Sequence, residues 1–220
     1  MNTLRLLSFT FIFAACATFN PPARLNDLVR TIRPTVKAEQ EGLEIAVEEY
    51  VTAEKSRRAF DADLLAYGVA PLLIYVTNQS SRSYRIEDKQ ITARLGEQAL
   101  PFLSGIDAAN QAATSEYAGK ALGWTAATGP FALVFWPVTI SVSGIHTKEI
   151  NRKVERHFEM IAFGKAIVKP AEAASGFVYF KLPDGLNSLN NLTVEVAAHE
   201  IESGRRLLFK LLIPRMNVQE

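Results

Sequence analysis

Three histidines, His146, His157 and His199, are the side chains best suited to proton transfer or metal binding near neutral pH. No two of them are four residues apart and no HExxH run occurs, so a zinc-hydrolase face on one helix is not encoded. A serine nucleophile needs a sharp strand-to-helix turn of the G-x-S-x-G kind. The chain has none, and Ser104-Gly105 and Ser143-Gly144 read as turn residues. Phosphate-cradling glycine motifs of the P-loop or G-x-G-x-x-G type are also missing. Glu44, Glu48 and Glu49, with Asp61 and Asp63 downstream, offer the paired carboxylates that acid–base catalysis uses. However, Leu43, Ile45 and Val47 alternate with Glu44, Ala46 and Glu48, which predicts a half-buried strand. Its glutamates would then face solvent along an edge and discourage pairing with another chain. Cys16 is the sole cysteine, so no internal disulfide forms and one thiolate cannot build a zinc site. No cofactor or metal is expected.

The elements that would position such groups belong to a chain of 220 residues, 48% apolar and 21% charged. That composition excludes a disordered chain and suits one domain or two small ones. Several long apolar spans, as in a polytopic membrane protein, are absent. A net charge of +1 gives no reason to expect nucleic acid as a partner.

The local patterns are mostly those of strands. Leu43 to Val47 is one, and Pro71 to Thr77 is apolar enough for a central strand buried on both faces. Asn78-Gln79-Ser80-Ser81 marks a turn, and two short strands are expected around Tyr84 to Ile86 and Ile91 to Leu95. Phe177 to Phe180, Leu192 to Val196 and Leu207 to Ile213 continue the series after a helical interlude. Thr52 is placed to cap a short helix, and Leu25 to Ile32 allows a short helical turn. Ile106 to Lys120 favours helix, and Lys148 to Phe163 reads as an amphipathic helix with Ile150, Val154, Phe158 and Ile161 on one face. About seven strands split by helices predict a mainly β fold with an α insertion: a β-sandwich, Ig-like in outline, its topology open. Neither half has enough strands to bury its own apolar faces, so the two must share a core.

The first residues carry the most specific signal. Arg5, the apolar run Leu6 to Phe13, and Ala14-Ala15 before Cys16 form a secretory signal too short for a stable transmembrane span. Phe13-Ala14-Ala15-Cys16 resembles the lipobox of bacterial lipoproteins, with Phe13 standing where that family usually has Leu. The resemblance implies that Cys16 is acylated and becomes the first residue of the mature chain, held in the membrane by its acyl chains. Ala17 after the cysteine, rather than Asp, implies the outer membrane by similarity to lipoprotein sorting in Gram-negative bacteria. Removing Arg5 leaves 23 basic and 23 acidic residues, a balance that gives the folded part no attraction to anionic lipid. In three stretches the chain is also similar to uncharacterised bacterial envelope lipoproteins. These are Ala66-Tyr67-Gly68-Val69-Ala70-Pro71, the charged helix opened by Asn151, and Ser175 to Phe180. The resemblance implies a family and no particular activity.

The expected organisation is a signal peptide at 1–15, a tether at 16–33 stiffened by Pro21-Pro22, half of a sandwich at 34–101, a helical apolar insertion at 102–166, and the second half at 167–220. Within the insertion, Ala121 to Thr147 has no charged residue at pH 7 and contains Phe131, Phe135 and Trp136. It is long enough to cross a bilayer, yet Pro130, Pro137, Gly123, Gly129 and Gly144 interrupt it. It is read as a packed hairpin, a membrane-inserted segment, or a surface that docks on membrane or partner. The function expected is that of a non-enzymatic, lipid-anchored structural or interaction module at the outer membrane, bound to the membrane through Cys16 and to an envelope protein. The alternative is a lipid-anchored enzyme or small-ligand carrier with a pocket between sandwich and insertion. Convergence of His146, His157, Glu44 and Glu48 in one concavity would favour that alternative.

Overall fold

The structure is a computed structural model that describes residues 23–112, 151–183, 186, 189 and 191–214. A short helix α1 (Leu25–Arg30) precedes the hairpin of β1 (Val36–Gln40) and β2 (Leu43–Glu49). Helix α2 (Ala53–Phe60) and a 3-10 turn lead into β3 (Val69–Asn78), β4 (Tyr84–Leu95), β5 (Gln98–Leu100) and β6 (Phe102–Leu103). Helix α3 (Gly105–Ala112) enters the insertion and α4, over 151–161, leaves it. The chain closes with β7 (Ala166–Val168), β8 (Ala173–Lys181), β9 (Leu192–Glu200) and β10 (Arg206–Ile213).

The fold is a mainly β sandwich with a helical insertion, as the sequence predicts. One antiparallel sheet has the order β1-β2-β3-β8-β6 and the other β10-β9-β4-β5, with β7 paired to the start of β4. Among the described residues there are ten strands rather than about seven. Four are added: β5, β6 and β7, of two or three residues each and too short to show a period of two, and β1, whose five residues are largely polar. The halves do share their sheets: β3 pairs with β8 and β4 with β9.

Alternation on β8 explains why Phe177-Val178-Tyr179-Phe180 is apolar throughout. Val178 and Phe180 enter the core between the sheets with Leu72, Ile74, Val194 and Phe209. Phe177 and Tyr179 point the other way, into a second core beneath the helices with Leu28, Phe60, Val154 and Phe158. The first sheet is therefore buried on both faces and the second on one. In the second core Phe60 lies 4.9 Å from Phe177 and 5.1 Å from Phe158, centroid to centroid. Pro71 fits inside β3 because β2 pairing stops at Leu72, so its missing N–H leaves no gap in that ladder.

Three local departures have clear causes. The two short strands expected around residues 84–86 and 91–95 are one twelve-residue strand, β4, with an irregularity. Ile86 pairs with Ala198 and Ile91 with Val196, so five steps on β4 match two on β9 and residues 87–90 loop outward. The end of the segment read as a tether carries α1, whose Leu28 is fully buried under the helical layer. The acidic side chains of β2 are not all solvated: Glu48 is 4% and Glu49 3% exposed, and β2 is an inner strand between β1 and β3.

The crossing of β8 and the end of α4 is held by a backbone contact. Phe163 N–H donates to Phe177 O at 2.8 Å, and a Cβ added to Gly176 would lie 2.6 Å from the Phe163 backbone. Gly176→Ala should therefore push α4 off β8 and cost about 1–3 kcal/mol, an overpacking penalty, readable as a lower urea midpoint with unchanged slope.

Candidate functional site

Among the described residues, Glu44, His157 and His199 stand apart from one another, each with its own surroundings. Glu44 pairs with Lys37 across the β1–β2 hairpin at 3.1 Å. His157 on α4 sits half-buried with Nε2 2.8 Å from the Ala59 carbonyl oxygen at the end of α2. His199 lies on the outer face of β9, and His146 falls outside the described residues. Cys16, Phe131, Phe135 and Trp136 also lie outside them. No described helix is long and apolar enough to cross a membrane. Among the described residues, no three His, Cys, Asp or Glu side chains gather as metal ligands would. Between the first sheet and the helices lie the packed side chains of the second core.

Glu48 and Glu49 form a buried ionic clasp instead. Thr52 caps α2 by accepting the Lys55 backbone N–H at 3.3 Å, which turns the helix back over the end of β2. Lys55 Nζ then lies 2.9 Å from Glu48 Oε1 and 3.0 Å from Glu49 Oε1. The remaining carboxylate oxygens take the Arg33 backbone N–H at 3.0 Å and the Thr35 hydroxyl. Every oxygen is engaged, so the clasp joins the strap at 33–35, β2 and α2 and leaves no free carboxylate for catalysis. Burial and the adjacent Glu48 push the Tyr50 phenol well above its ordinary range.

A concave surface with unengaged polar groups lies on the outer face of the second sheet. Its floor is Ala197, 2% exposed although it faces away from the core. His199 and Glu195 flank it on β9, and Arg206 and Leu208 form one wall on β10. The other wall is Lys89, Gln90 and Thr92, brought there by the looped-out residues of β4. The result is an open groove of about 350 Å³. It continues into a second depression past Glu195 toward Arg94 and Lys210. One row of the register sets Arg85, His199 and Arg206 side by side on three neighbouring strands. Gln90 Oε1 is buried and has no hydrogen-bond partner among the described residues.

Sequence reasoning had no reason to select these groove residues, because they come from three separated strands. One signal was present. Inward positions are even at Tyr84 and Ile86 and odd at Ile91 and Ala93, so an odd number of extra residues must lie between.

Two outcomes follow from the buried polar groups. Lys55→Met leaves Glu48 and Glu49 buried without their cation and should cost about 3–5 kcal/mol by urea denaturation. Adding Glu48→Gln should return part of that loss. Burial holds His157 below the ordinary histidine value of 6.5, partly countered by the Ala59 carbonyl. The unfolded chain therefore takes this proton first as pH falls through 6.5, and the stability that neutral His157 supplies at higher pH is lost. The melting temperature of His157→Gln should accordingly fall less between pH 7.5 and pH 5.5 than that of the parent chain.

No protein-family model, no curated protein and no solved structure matches the chain.

Proposed function

We propose that this chain is a lipid-anchored module of the bacterial envelope, held at the outer membrane through acylated Cys16, and that it works by binding rather than by catalysis. The observation that carries this reading is the lipobox-like run Phe13-Ala14-Ala15-Cys16, and the fold adds which side of the sandwich an anchor there would reach. Six residues separate Cys16 from Ala23, a span of at most about 25 Å over seven steps. Ala23 and Leu28 are packed into the core beneath the helices, so an anchor at Cys16 holds the helical layer near the bilayer.

The apolar segment leaves and returns on that same layer: Ala112 ends α3 and Val154 lies in the first turns of α4, both packed in the second core. In this reading Phe131, Phe135 and Trp136 meet the membrane or an envelope protein on the anchored side. The groove of the second sheet is on the opposite side of the sandwich and stays open to a ligand or partner.

The experiment is fractionation of cells expressing the full chain and Cys16→Ala. The parent chain should sediment with outer membranes and gain mass from its acyl chains, while Cys16→Ala should stay unprocessed or appear in the soluble fraction with the same melting temperature. Several acyl chains at about 0.8 kcal/mol per buried methylene make the difference all-or-none. An unmodified parent chain, or a Cys16→Ala variant processed and sorted like the parent, would remove the lipoprotein reading.

A further inference from the structure

We infer that the groove on the outer face of the second sheet binds a phosphorylated sugar or polyol, its phosphate at the row of basic residues and its hydroxyls along the floor. The inference rests on reading that face as the binding surface and is independent of the lipid anchor.

The phosphate end is set by the ladder. Arg85 pairs with His199, and His199 with Arg206, so three basic side chains project in line from neighbouring strands. Two strand spacings put the outer pair about 10 Å apart at their Cα atoms, close enough for two guanidinium groups to converge on one anion. Lys89 joins them from the looped-out part of β4. Of the nearby carboxylates, only Glu87 faces this row, shared between Arg85 and Lys165, so Arg206 and Lys89 carry the unshared charge. Glu87 lies 3.7 Å from Arg85 and 3.6 Å from Lys165, Asp88 accepts from the Lys89 backbone N–H, and Glu195 lies 3.9 Å from Lys210. Among the described residues, no carboxylate lies in ion-pair range of the Lys89 or Arg206 side chain. Guanidinium forks match phosphate oxygens in geometry as well as charge.

The hydroxyl end is set by acceptors. Gln90 lines the groove, and its amide can pair with a ligand hydroxyl as donor or acceptor. Thr92 and Glu195 line the groove beside it and add further acceptors, and Leu208, 46% exposed, offers an apolar wall for the carbon face of a ring. A volume of about 350 Å³ suits one small ligand. Inorganic phosphate would use one end of the groove and a neutral sugar the other; a phosphorylated sugar uses both.

The test is calorimetric titration of the full chain in detergent with glucose 6-phosphate and sn-glycerol 3-phosphate, against glucose and inorganic phosphate. At least one phosphorylated probe should bind at least about tenfold more tightly than glucose or inorganic phosphate. Arg206→Gln should weaken that binding about tenfold with an unchanged melting temperature, and Thr92→Val should reduce only the preference over inorganic phosphate. Flotation with phosphatidylglycerol vesicles, using Cys16→Ala so that the anchor plays no part, separates the two sources of such a group. Arg206-dependent flotation assigns a lipid headgroup, and binding of the free probes without flotation assigns a soluble or polymeric sugar phosphate. Absence of both flotation and binding of every phosphorylated probe overturns the inference, and so does binding that ignores Arg206 or matches that of inorganic phosphate. A failure here leaves the fractionation result for Cys16 untouched.

Discussion

The ladder between β3 and β8 is the constraint on which the rest of this fold depends. It runs from Val69–Lys181 to Thr77–Ala173 and joins segments about a hundred residues apart. Both hydrophobic cores are built on it, because each strand sends alternate side chains to each. Before β8 arrives, β3 has only β2 beside it, and Leu73 lacks the Phe177 neighbour under the helices. The helical insertion is thus a long loop whose closure entropy is met by pairing on both sheets at once, β3 with β8 and β4 with β9. Such long-range pairing is slow to form and cooperative once formed.

The two faces of the sandwich are treated differently by the same ladder logic. The first sheet is covered on its outer side by α1 to α4, and its polar groups there are drawn into closed partnerships such as the Lys55 clasp. The second sheet has no covering layer among the described residues, so its outward positions carry charge: Arg85, Glu195, Arg206 and Lys210. A regular sheet with these residues would be a flat solvated surface. The extra residues of β4 make it concave, because they raise Lys89 and Gln90 as a wall while Ala197 keeps the floor low. A ladder irregularity, rather than a loop or a cleft between domains, makes the groove.

Legibility in the sequence followed the strength of the local signal. The apolar run of β3, the alternation in β9 and β10, the Thr52 cap and the apolar face of α4 were all readable, since each has enough residues to show its period. The sharing of sheets between the halves was readable from burial alone. Glu48 was misread because alternation tells which side of a strand a residue takes, not what later covers that side. Here α2 folds back and supplies Lys55. Tyr84 to Leu95 was divided because its inward positions change parity at the irregularity, which resembles two strands and a turn. Of the groove only the parity change in β4 was legible, not the residues that line it. Residues 85, 199 and 206 become neighbours only through the register, and no spacing along the chain encodes that.

The buried clasp has a mechanical consequence. Any tension delivered through the residues before Ala23 reaches the body of the protein at its N-terminal strap. Strand β1 is the next element and lies at a sheet edge, paired from Val36–Val47 onward. Pulled from that end alone, it would unzip one hydrogen bond at a time. The Arg33 N–H and Thr35 hydroxyl are tied to Glu48 and Glu49 just before the first pair, and Leu28 is seated farther upstream. Load is therefore passed to inner strand β2 and to α2 before it can reach the edge strand. The two carboxylates act as a strain relief, and a protein tugged by one end keeps its ladders in shear rather than in peel.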